Sequence, residues 1–380
     1  MSSASAAVVP AARTIIYLGM DVHKESITIA ALPSDAKTPT RVDRLPNDFV
    51  KLKRWLERVA MQSEVRACYE ASGAGYVLHR AMQEWGYACD VIAPSLIPKR
   101  PGVQRKHDRY DAAELARLYR AGELTAVRIP SEAEERVRDV VRCRETFQRE
   151  ILKSRHYILK FLARRGFVFR EGTNWCTPHL RWLQHLTTEQ SPLSPADRLV
   201  FREYHALLLY KLQRRDDLDR EIVRLAELPT LKPAVEALQC FRGISLHSAM
   251  VLATEISDWR RFARPGQLAS YVGLVMREAS SGDRQRLGSI TKAGNSHCRH
   301  VLVQAAWSYR HRPATSADLK RRQTGQPPAV IAHAWKAQHR LHQRFNHLAY
   351  RKRPQIAVVA VARELIGFLW AVMQEVPAST

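Results

Sequence analysis

The chain has 380 residues, more than one small hydrophobic core usually organises, so we expect two or three domains. Its 60 Lys and Arg residues against 37 Asp and Glu residues give a formal net charge of +23, which favours a polyanionic partner. A basic membrane-surface protein is the competing interpretation. The most apolar run, 356–373, contains Arg363 and Glu364, so no membrane span and no membrane partner are predicted.

The cysteines and the first residues indicate the compartment. The six cysteines are scattered, with no CxxC motif and no Cys/His cluster, which argues against zinc and favours free thiols in a reducing cytoplasm. Residues 1–13 lack the charged-then-apolar layout of a signal peptide. We expect them to form a short disordered leader.

Residues 14–128 alternate between short apolar runs and amphipathic segments. Three early strands precede an alternation of helices and strands, which is typical of a mixed-sheet α/β layer fold. The predicted strands are 14–20, 26–32, 41–45, 65–69 and 89–93, and the predicted helices are 48–59, a helix from the 72–76 turn to about 85, and one from Asp111.

Four carboxylates occupy informative places in this order. Asp21 ends the first strand, Glu70 ends the strand after the first helix, and Asp108 and Asp111 share one face near a helix start. Hard oxygen ligands suit Mg²⁺ or Mn²⁺, and two such ions about 3.5–4 Å apart would clamp a phosphodiester. One acid in the first turn of a helix is more often a cap. Four acids at matching places favour a metal site.

Residues 129–232 change to long charged helices. Heptad-like apolar spacing over 131–165 predicts one helix, and Ser194 with Pro195 predicts the start of a second that ends near Pro229. The 166–192 segment between them is expected to be irregular. Two long helices with a crossover predict an antiparallel coiled-coil arm, either as a spacer or as a dimerisation device, and the two roles are compatible.

Residues 233–376 form a predicted third, mainly helical domain. Gly243 makes a turn between two helices in 238–256, similar to a helix-hairpin-helix with Ser245 replacing the second glycine, and 259–274 is expected to be another helix pair. The following loop presents Ser280 and Ser281, with basic side chains that could meet a phosphate, before a helix capped near Asn295 or Ser296. Its basic residues are Arg284, Arg286 and Lys292. The alternative interpretation is a solvated basic loop without a catalytic role.

The tail alternates basic residues with rings. Such interleaving suits contact with a nucleic-acid backbone plus base stacking, although a solvated helix face explains part of it. The basic residues concerned are Lys336, Arg340, Arg344, Arg351, Lys352 and Arg353.

Several motifs together resemble the DEDD transposases of insertion sequence family one-ten, relatives of the Piv-type DNA invertases. The N-terminal half carries GMDVHK, YEASGAGY and KHDRYDAAELARL. The C-terminal half carries FRGI, RFARPGQLASYVGL and SSGDRQRLGSITKAGN. Each motif alone is weak, but all of them in this order are specific, and they span about 15–373. One departure is GLVM before the serine loop, where relatives commonly have GLVP.

The resemblance implies a multidomain fold and a reaction. It implies an N-terminal RuvC-like domain of the ribonuclease H fold, whose acids Asp21, Glu70, Asp108 and Asp111 bind Mg²⁺, and a C-terminal serine-recombination domain. Ser281, with Ser280 as the alternative, would be the nucleophile. It further implies donor and target DNA and a non-coding bridge RNA as partners, a homo-oligomer such as a dimer or tetramer, and a bacterial cytoplasmic protein associated with the nucleoid.

Two other classes are consistent with the sequence. A structure-specific nuclease of the Holliday-junction resolvase type would use the same acids with water as the nucleophile. A non-catalytic nucleic-acid-binding protein would need neither the acids nor the serine.

Overall fold

The computed structural model describes residues 14–71, 73–98, 108–278 and 287–376. The chain divides into two compact units, the first ending at Pro130 and the second beginning at Ser131. The expected leader, 1–13, lies outside the described residues.

The first unit is built on a five-stranded sheet of order β3-β2-β1-β4-β5. The central strand β1 pairs antiparallel with β2 and parallel with β4. The strands are β1 (Thr14–Val22), β2 (Ser26–Pro33), β3 (Arg41–Pro46), β4 (Ser63–Glu70) and β5 (Ala88–Ile92), and the helices are α1 (Phe49–Ala60), α2 (Val77–Glu84) and α3 (Asp108–Arg120). This confirms the predicted mixed α/β layer and agrees with the RuvC-like fold that the resemblance implies.

Strand β1 is buried on both faces because its alternate residues meet different helices. Leu18 and Met20 belong to one apolar cluster with Leu52 and Leu56 of α1. On the other face α3 approaches so closely that a Cβ atom at Gly19 would stand 2.1 Å from the carbonyl oxygen of Ala112. Glycine at residue 19 therefore sets how closely α3 covers the sheet.

The second unit is mainly helical. Its helices are α4 (Glu132–Ala163), α5 (Thr177–Leu186), α6 (Pro195–Ala226), α7 (Lys232–Gln239), α8 (Leu246–Ile256), α9 (Pro265–Tyr271), α10 (Ser296–Ala306), α11 (Ala317–Gln323), α12 (Pro328–Ala349) and α13 (Pro354–Glu375). A short hairpin of β6 (Met276–Glu278) and β7 (Leu287–Ile290) precedes α10.

Helices α4 and α6 pack antiparallel, as their contacts run in opposite directions along the chain. Arg144 pairs with Asp219, whereas Phe161, farther along α4, meets Tyr204, earlier in α6, with ring centroids 5.6 Å apart. The predicted start of α6 is confirmed: the Ser194 hydroxyl accepts the amide of Asp197 at 3.2 Å. We call α4 and α6 together the two-helix arm.

Helix α13 lies in the core of the second unit. It is long and apolar enough to cross a membrane by length and composition, with a mean hydropathy of 2.0 over its most apolar window. Val361, Leu365 and Leu369 are fully buried, and they share one apolar cluster with residues of α8, α10 and α12. Packing inside the unit accounts for this apolarity.

Three local predictions were wrong. The 166–192 segment contains α5, whose N-cap Cys176 makes no side-chain capping bond, so this helix depends on burial of Leu183 and Leu186. Within 259–274 the described chain has only one α-helix, α9; before it, Ser257 takes a positive φ of 60° that ends α8. Helix α3 begins at Asp108, one turn before Asp111.

Candidate active site

Asp21 and Glu70 lie side by side at one edge of the sheet. Strands β1 and β4 are parallel, and their paired residues Met20 and Tyr69 immediately precede the two acids. Since side chains alternate along a strand, both carboxylates project to the face opposite Met20 and Tyr69, the face that α3 covers. The side chain of Asp21 is 22% exposed, and Glu70 is exposed.

The start of α3 brings Asp111 to the same edge. Ala112 meets Gly19, two residues before Asp21 on the same face of β1, and Asp111 directly precedes Ala112. Asp111 is partly buried. Asp108 is the first residue of the helix, and its side chain lies outside the described atoms. Asp21 and Glu70 therefore end neighbouring strands at one edge of the sheet, and α3 packs against β1 two residues before Asp21.

His23 contacts this edge from the tight β1–β2 turn. Its Nε2 lies 3.1 Å from Oδ2 of Asp21, and the ring is half exposed. The turn is fixed because the His23 amide donates to the Ser26 carbonyl at 2.9 Å and the Asn47 side-chain amide donates to the His23 carbonyl at 2.9 Å. His23 is thus held against Asp21.

The described acids are of the ligand type that a hard cation prefers, but they do not form a complete set of metal ligands. Among the residues that the structure describes, no group of three or more His, Cys, Asp or Glu side chains is close enough together to hold a metal ion. The donors are carboxylate oxygens, which suit Mg²⁺ or Mn²⁺ rather than a soft metal. The fourth predicted ligand is Asp108, whose side chain is not described.

Sequence reasoning missed the contact that anchors the far end of α3. The Tyr119 hydroxyl donates a 2.7 Å hydrogen bond to Oδ2 of Asp90 in β5, and the Tyr119 ring meets Tyr17 edge-on at 5.9 Å. Burial, helped by the bond to Asp90, raises the pKa of Tyr119 well above its ordinary value, so the hydroxyl stays protonated and donates. Asp90 sits inside a strand, a position that gave no signal in the sequence.

The predicted nucleophile lies outside the described residues. Ser280, Ser281, Arg284 and Arg286 all fall within 279–286, between β6 and β7. Pairing of Met276 with Ile290 closes the two strands into a hairpin, so this segment is its connection. Lys292, after the hairpin, is exposed and has a positive φ of 55°.

The basic tail is exposed and partly neutralised. Lys336, Arg340 and Arg344 are four residues apart and share one face of α12. Arg340 pairs with Glu364 of α13 at 2.6 Å, and Arg344 approaches the same carboxylate at 3.7 Å. The other three predicted basic residues are exposed around the α12–α13 connection: Arg351, Lys352 and Arg353.

Comparisons with known proteins fit both halves of the chain. A family model for DEDD transposases of the IS110 type matches residues 18–165, and a second, described as transposase IS116/IS110/IS902 family, matches 235–320. A Sinorhizobium fredii protein named as a transposase, y4qE, is 36% identical over 367 residues, covering 96% of this chain and 90% of that protein. The transposase for insertion sequence element IS1533 of Leptospira borgpetersenii is 31% identical, covering 89% of this chain and 98% of that protein.

The first match spans the sheet edge with its acids, and the second spans the hairpin with its flanking helices. The chain therefore belongs to the IS110-type transposases, enzymes that move DNA, and its DEDD match covers the sheet of the first unit and continues through α4.

Proposed function

We propose that this transposase cuts and rejoins DNA through a covalent serine–DNA intermediate, guided by a non-coding RNA from its own element. The observation that supports the catalytic part is that Asp21 and Glu70 directly follow paired residues of the parallel strands β1 and β4, while α3, which carries Asp111, packs against β1 at Gly19. Packing alone does not account for acids at these positions, because Asp21 and Asp111 are only partly buried and Glu70 is exposed.

The DEDD domain implies that the enzyme depends on a divalent metal. The residues that would hold this ion are Asp21, Glu70, Asp108 and Asp111. We assign Mg²⁺, with Mn²⁺ as a substitute. A bound ion would neutralise charge on the phosphate and favour ionised nucleophiles. His23 would restrict the rotation of the Asp21 carboxylate through their 3.1 Å contact.

Ser281 is the proposed nucleophile, with Ser280 as its alternative. Its Oγ attacks a DNA phosphorus, a serine–phosphate ester forms, and the phosphorus–O3′ bond breaks. The proton that leaves the hydroxyl balances the one gained by the departing O3′, so the products are a phosphoserine ester and a 3′-hydroxyl. Attack of a new 3′-hydroxyl on the ester reverses the step and rejoins the DNA without hydrolysis.

The excess of basic residues supports binding of both DNA and RNA. The net charge of +23 fits two polyanionic partners. Base pairing between the RNA and the donor and target DNA would read sequence, and the protein would read backbone and shape. The basic residues of the serine segment and of the tail supply phosphate contacts: Arg284, Arg286, Lys292, Lys336, Arg340, Arg344, Arg351, Lys352 and Arg353.

The two-helix arm supports a homo-oligomer. Leu199, Val200, Leu207 and Tyr210 of α6 are between 38% and 63% exposed. They lie on a face of α6 next to the one that carries Phe201 and Leu208, which pack within the arm. An apolar stripe of this kind suits a coiled-coil contact with a second copy, giving a dimer or tetramer. We retain 14–128, 129–232 and 233–376 as the functional domains, acting in the bacterial cytoplasm at the nucleoid.

The test is recombination on plasmids carrying the element with its flanking sequence, its target and the RNA transcribed from that flank. We expect Ser281→Ala to abolish the covalent protein–DNA product and recombination while RNA binding stays within about twofold. Asp21→Ala should also abolish both. Retained recombination in Ser281→Ala would exclude this serine, and Ser280→Ala then tests its neighbour.

The products separate the remaining classes. A resolvase-type nuclease would release a free 5′-phosphate with no protein attached, and a binding protein would leave the DNA intact. Recombination that persists after the flanking RNA is deleted would exclude RNA guidance while leaving the serine chemistry in place.

A further inference from the structure

Glu255 is a buried carboxylate in an otherwise apolar part of α8. Its side chain is only 2% exposed, and all its neighbours from Ala249 to Ile256 are buried. A charge in such a place is retained only when donors surround it. The residues that donate hydrogen bonds to Glu255 therefore identify the elements that this carboxylate connects.

The donors come from two different elements. The guanidinium of Arg142 in α4 donates to both carboxylate oxygens, at 2.6 and 2.9 Å. The side-chain amide of Asn295 donates to Oε2 at 2.7 Å. Burial acts to raise the pKa of Glu255, but the bonds and charge of Arg142 outweigh it and lower the pKa. The carboxylate is thus ionised and accepts three donated bonds.

Asn295 connects this carboxylate to the start of α10. Its Oδ1 accepts the amide of Cys298 at 3.0 Å and caps the helix, while its Nδ2 serves Glu255. Its backbone amide donates to the Tyr271 carbonyl at 2.9 Å, and the Tyr271 hydroxyl donates to the Glu255 carbonyl at 3.0 Å. The three residues form a closed circuit beneath the hairpin.

Backbone hydrogen bonds close the base of the hairpin next to these three residues. The Thr291 amide donates to the Val275 carbonyl at 2.8 Å, and the Lys292 amide donates to Gly273 at 3.1 Å. Gly294 has φ +86° and is pressed so closely on Tyr271 that a Cβ atom there would lie 2.0 Å from its carbonyl oxygen. The residues at the base of β6 and β7 are therefore in close contact with Tyr271, a member of the Glu255 circuit.

A second contact joins the same elements. Nδ1 of His297, in the first turn of α10, contacts Oε2 of Glu145, one turn beyond Arg142 in α4. Glu145 is only 13% exposed. Two adjacent links thus hold the base of the arm to the base of the hairpin.

We propose that Glu255, with Arg142 and Asn295, is a positioning residue that fixes the hairpin β6–β7 in the orientation needed for strand cleavage and couples that orientation to the arm. This inference rests on the proposed function, because the hairpin connection contains the assigned serine. It adds a role for residues outside the acids and the serine.

The variants separate positioning from simple stabilisation. Glu255→Gln keeps the shape but turns one acceptor into a donor that faces Arg142 or Asn295. Arg142→Lys keeps the charge but loses the paired geometry. The matched control is Arg144→Lys, which disrupts an equivalent two-bond pair with Asp219, at 2.7 and 3.2 Å, that joins α4 to α6 and involves neither Glu255 nor Asn295.

The first measurement is single-turnover formation of covalent protein–DNA product by the full chain on a supercoiled plasmid carrying the element. We expect Glu255→Gln and Arg142→Lys to slow this rate by about 10- to 100-fold at saturating DNA while DNA affinity stays within about threefold. Arg144→Lys should lose comparable thermal stability but keep its rate within about threefold. Equal rate losses in all three variants would overturn the proposal.

The second measurement is independent of the chemistry. Amide hydrogen exchange at Thr291 and Lys292, which report the hairpin base, should accelerate at least about tenfold in Arg142→Lys and stay unchanged in Arg144→Lys. Unchanged exchange in Arg142→Lys would overturn the proposal even if Glu255→Gln fails to fold. If exchange accelerates as expected but Ser281→Ala still recombines, the positioning holds and the serine assignment fails.

Discussion

The carbonyl oxygen of Ala112 in α3 lies directly over Gly19 of β1, and a Cβ atom at Gly19 would stand 2.1 Å from it and 2.4 Å from the amide nitrogen of Ala116. Both are backbone atoms of α3, so they can move away from an added methyl group only if the helix itself shifts. The helix that is displaced is the one that begins with Asp108 and Asp111.

We therefore expect Gly19→Ala to lower the free energy of unfolding by about 1–3 kcal/mol, the usual range for overpacking, and to abolish DNA cleavage. Urea denaturation and a plasmid cleavage assay check this. Gly266→Ala in α9 is the matched control, because a methyl group added there would meet no atom within 4 Å. Full activity in Gly19→Ala would show that the acids tolerate a shifted α3.

Asp21→Asn should separate chemistry from folding. We expect its cleavage rate to fall by at least about 100-fold, the equivalent of a few kcal/mol of lost charge stabilisation. Its thermal stability should stay the same or rise, because the change removes one of several carboxylates gathered at one edge. Excess EDTA should reproduce the loss in the unchanged protein, and added Mg²⁺ should reverse it. Asp35→Asn, an exposed site after β2, is the control; a matching loss there would remove the special role of Asp21.

The basic residues that share one face of α12 should contribute unequally to nucleic-acid binding. They are Lys336, Arg340 and Arg344. Lys336→Ala is expected to weaken DNA binding and to reduce the slope of log affinity against log salt by about 1. Arg340→Ala should change the slope less and the stability more, because Arg340 already pairs with Glu364 at 2.6 Å. Filter binding at several salt concentrations measures both slopes. Lys320→Ala on α11 is the control, and a slope change there equal to that of Lys336→Ala would contradict a specific surface.

His247 should make the second unit sensitive to acid. Burial, with the nearby charge of Arg144, lowers its pKa from 6.5 to about 4, although Glu145 and Asp219 act in the opposite direction. Between those pH values the unfolded chain binds a proton that the folded chain does not, so stability falls as the pH falls. We expect the second unit to lose roughly 1–2 kcal/mol between about pH 7 and about pH 4.5 through this residue.

Unfolding of His247→Asn by urea at both pH values checks this contribution. Its loss of stability on acidification should be smaller than that of the unchanged protein by the same amount. His156→Asn, an exposed histidine on α4, should leave the pH dependence as it is. Identical pH dependence in His247→Asn and the unchanged protein would contradict the assignment.

Much of the first unit could be predicted because several of its strands, β1 and β2 above all, are mostly apolar runs of the length typical of strands. Ile27 and Ile29 are completely buried in β2, as a mostly apolar run of strand length predicts. The acids were predictable because each ends or begins an element. The contact between Asp90 and Tyr119 was not, since it joins residues 29 positions apart and carries no local pattern.

The second unit was less predictable because its short elements rely on tertiary contacts. Helix α5 lacks a capping side chain, and strands β6 and β7 have three and four residues with no sustained alternation. Glu255 illustrates the limit: in the sequence it is one acid in an apolar stretch, and its partners Arg142 and Asn295 lie 113 positions before and 40 positions after it. Only the folded chain reveals that the three belong together.

Helix α13 has a consequence for synthesis. Its residues Val358, Val361 and Leu365 lie in the same core cluster as Val235 and Met250, more than one hundred positions earlier in the chain. A ribosome therefore completes the first unit's sheet long before it supplies the helix that closes the second unit's core. During that interval the apolar surfaces of α8 and α10 lack this partner, so nascent chains that stall before α13 should aggregate or be degraded, although their acid-bearing unit is already complete.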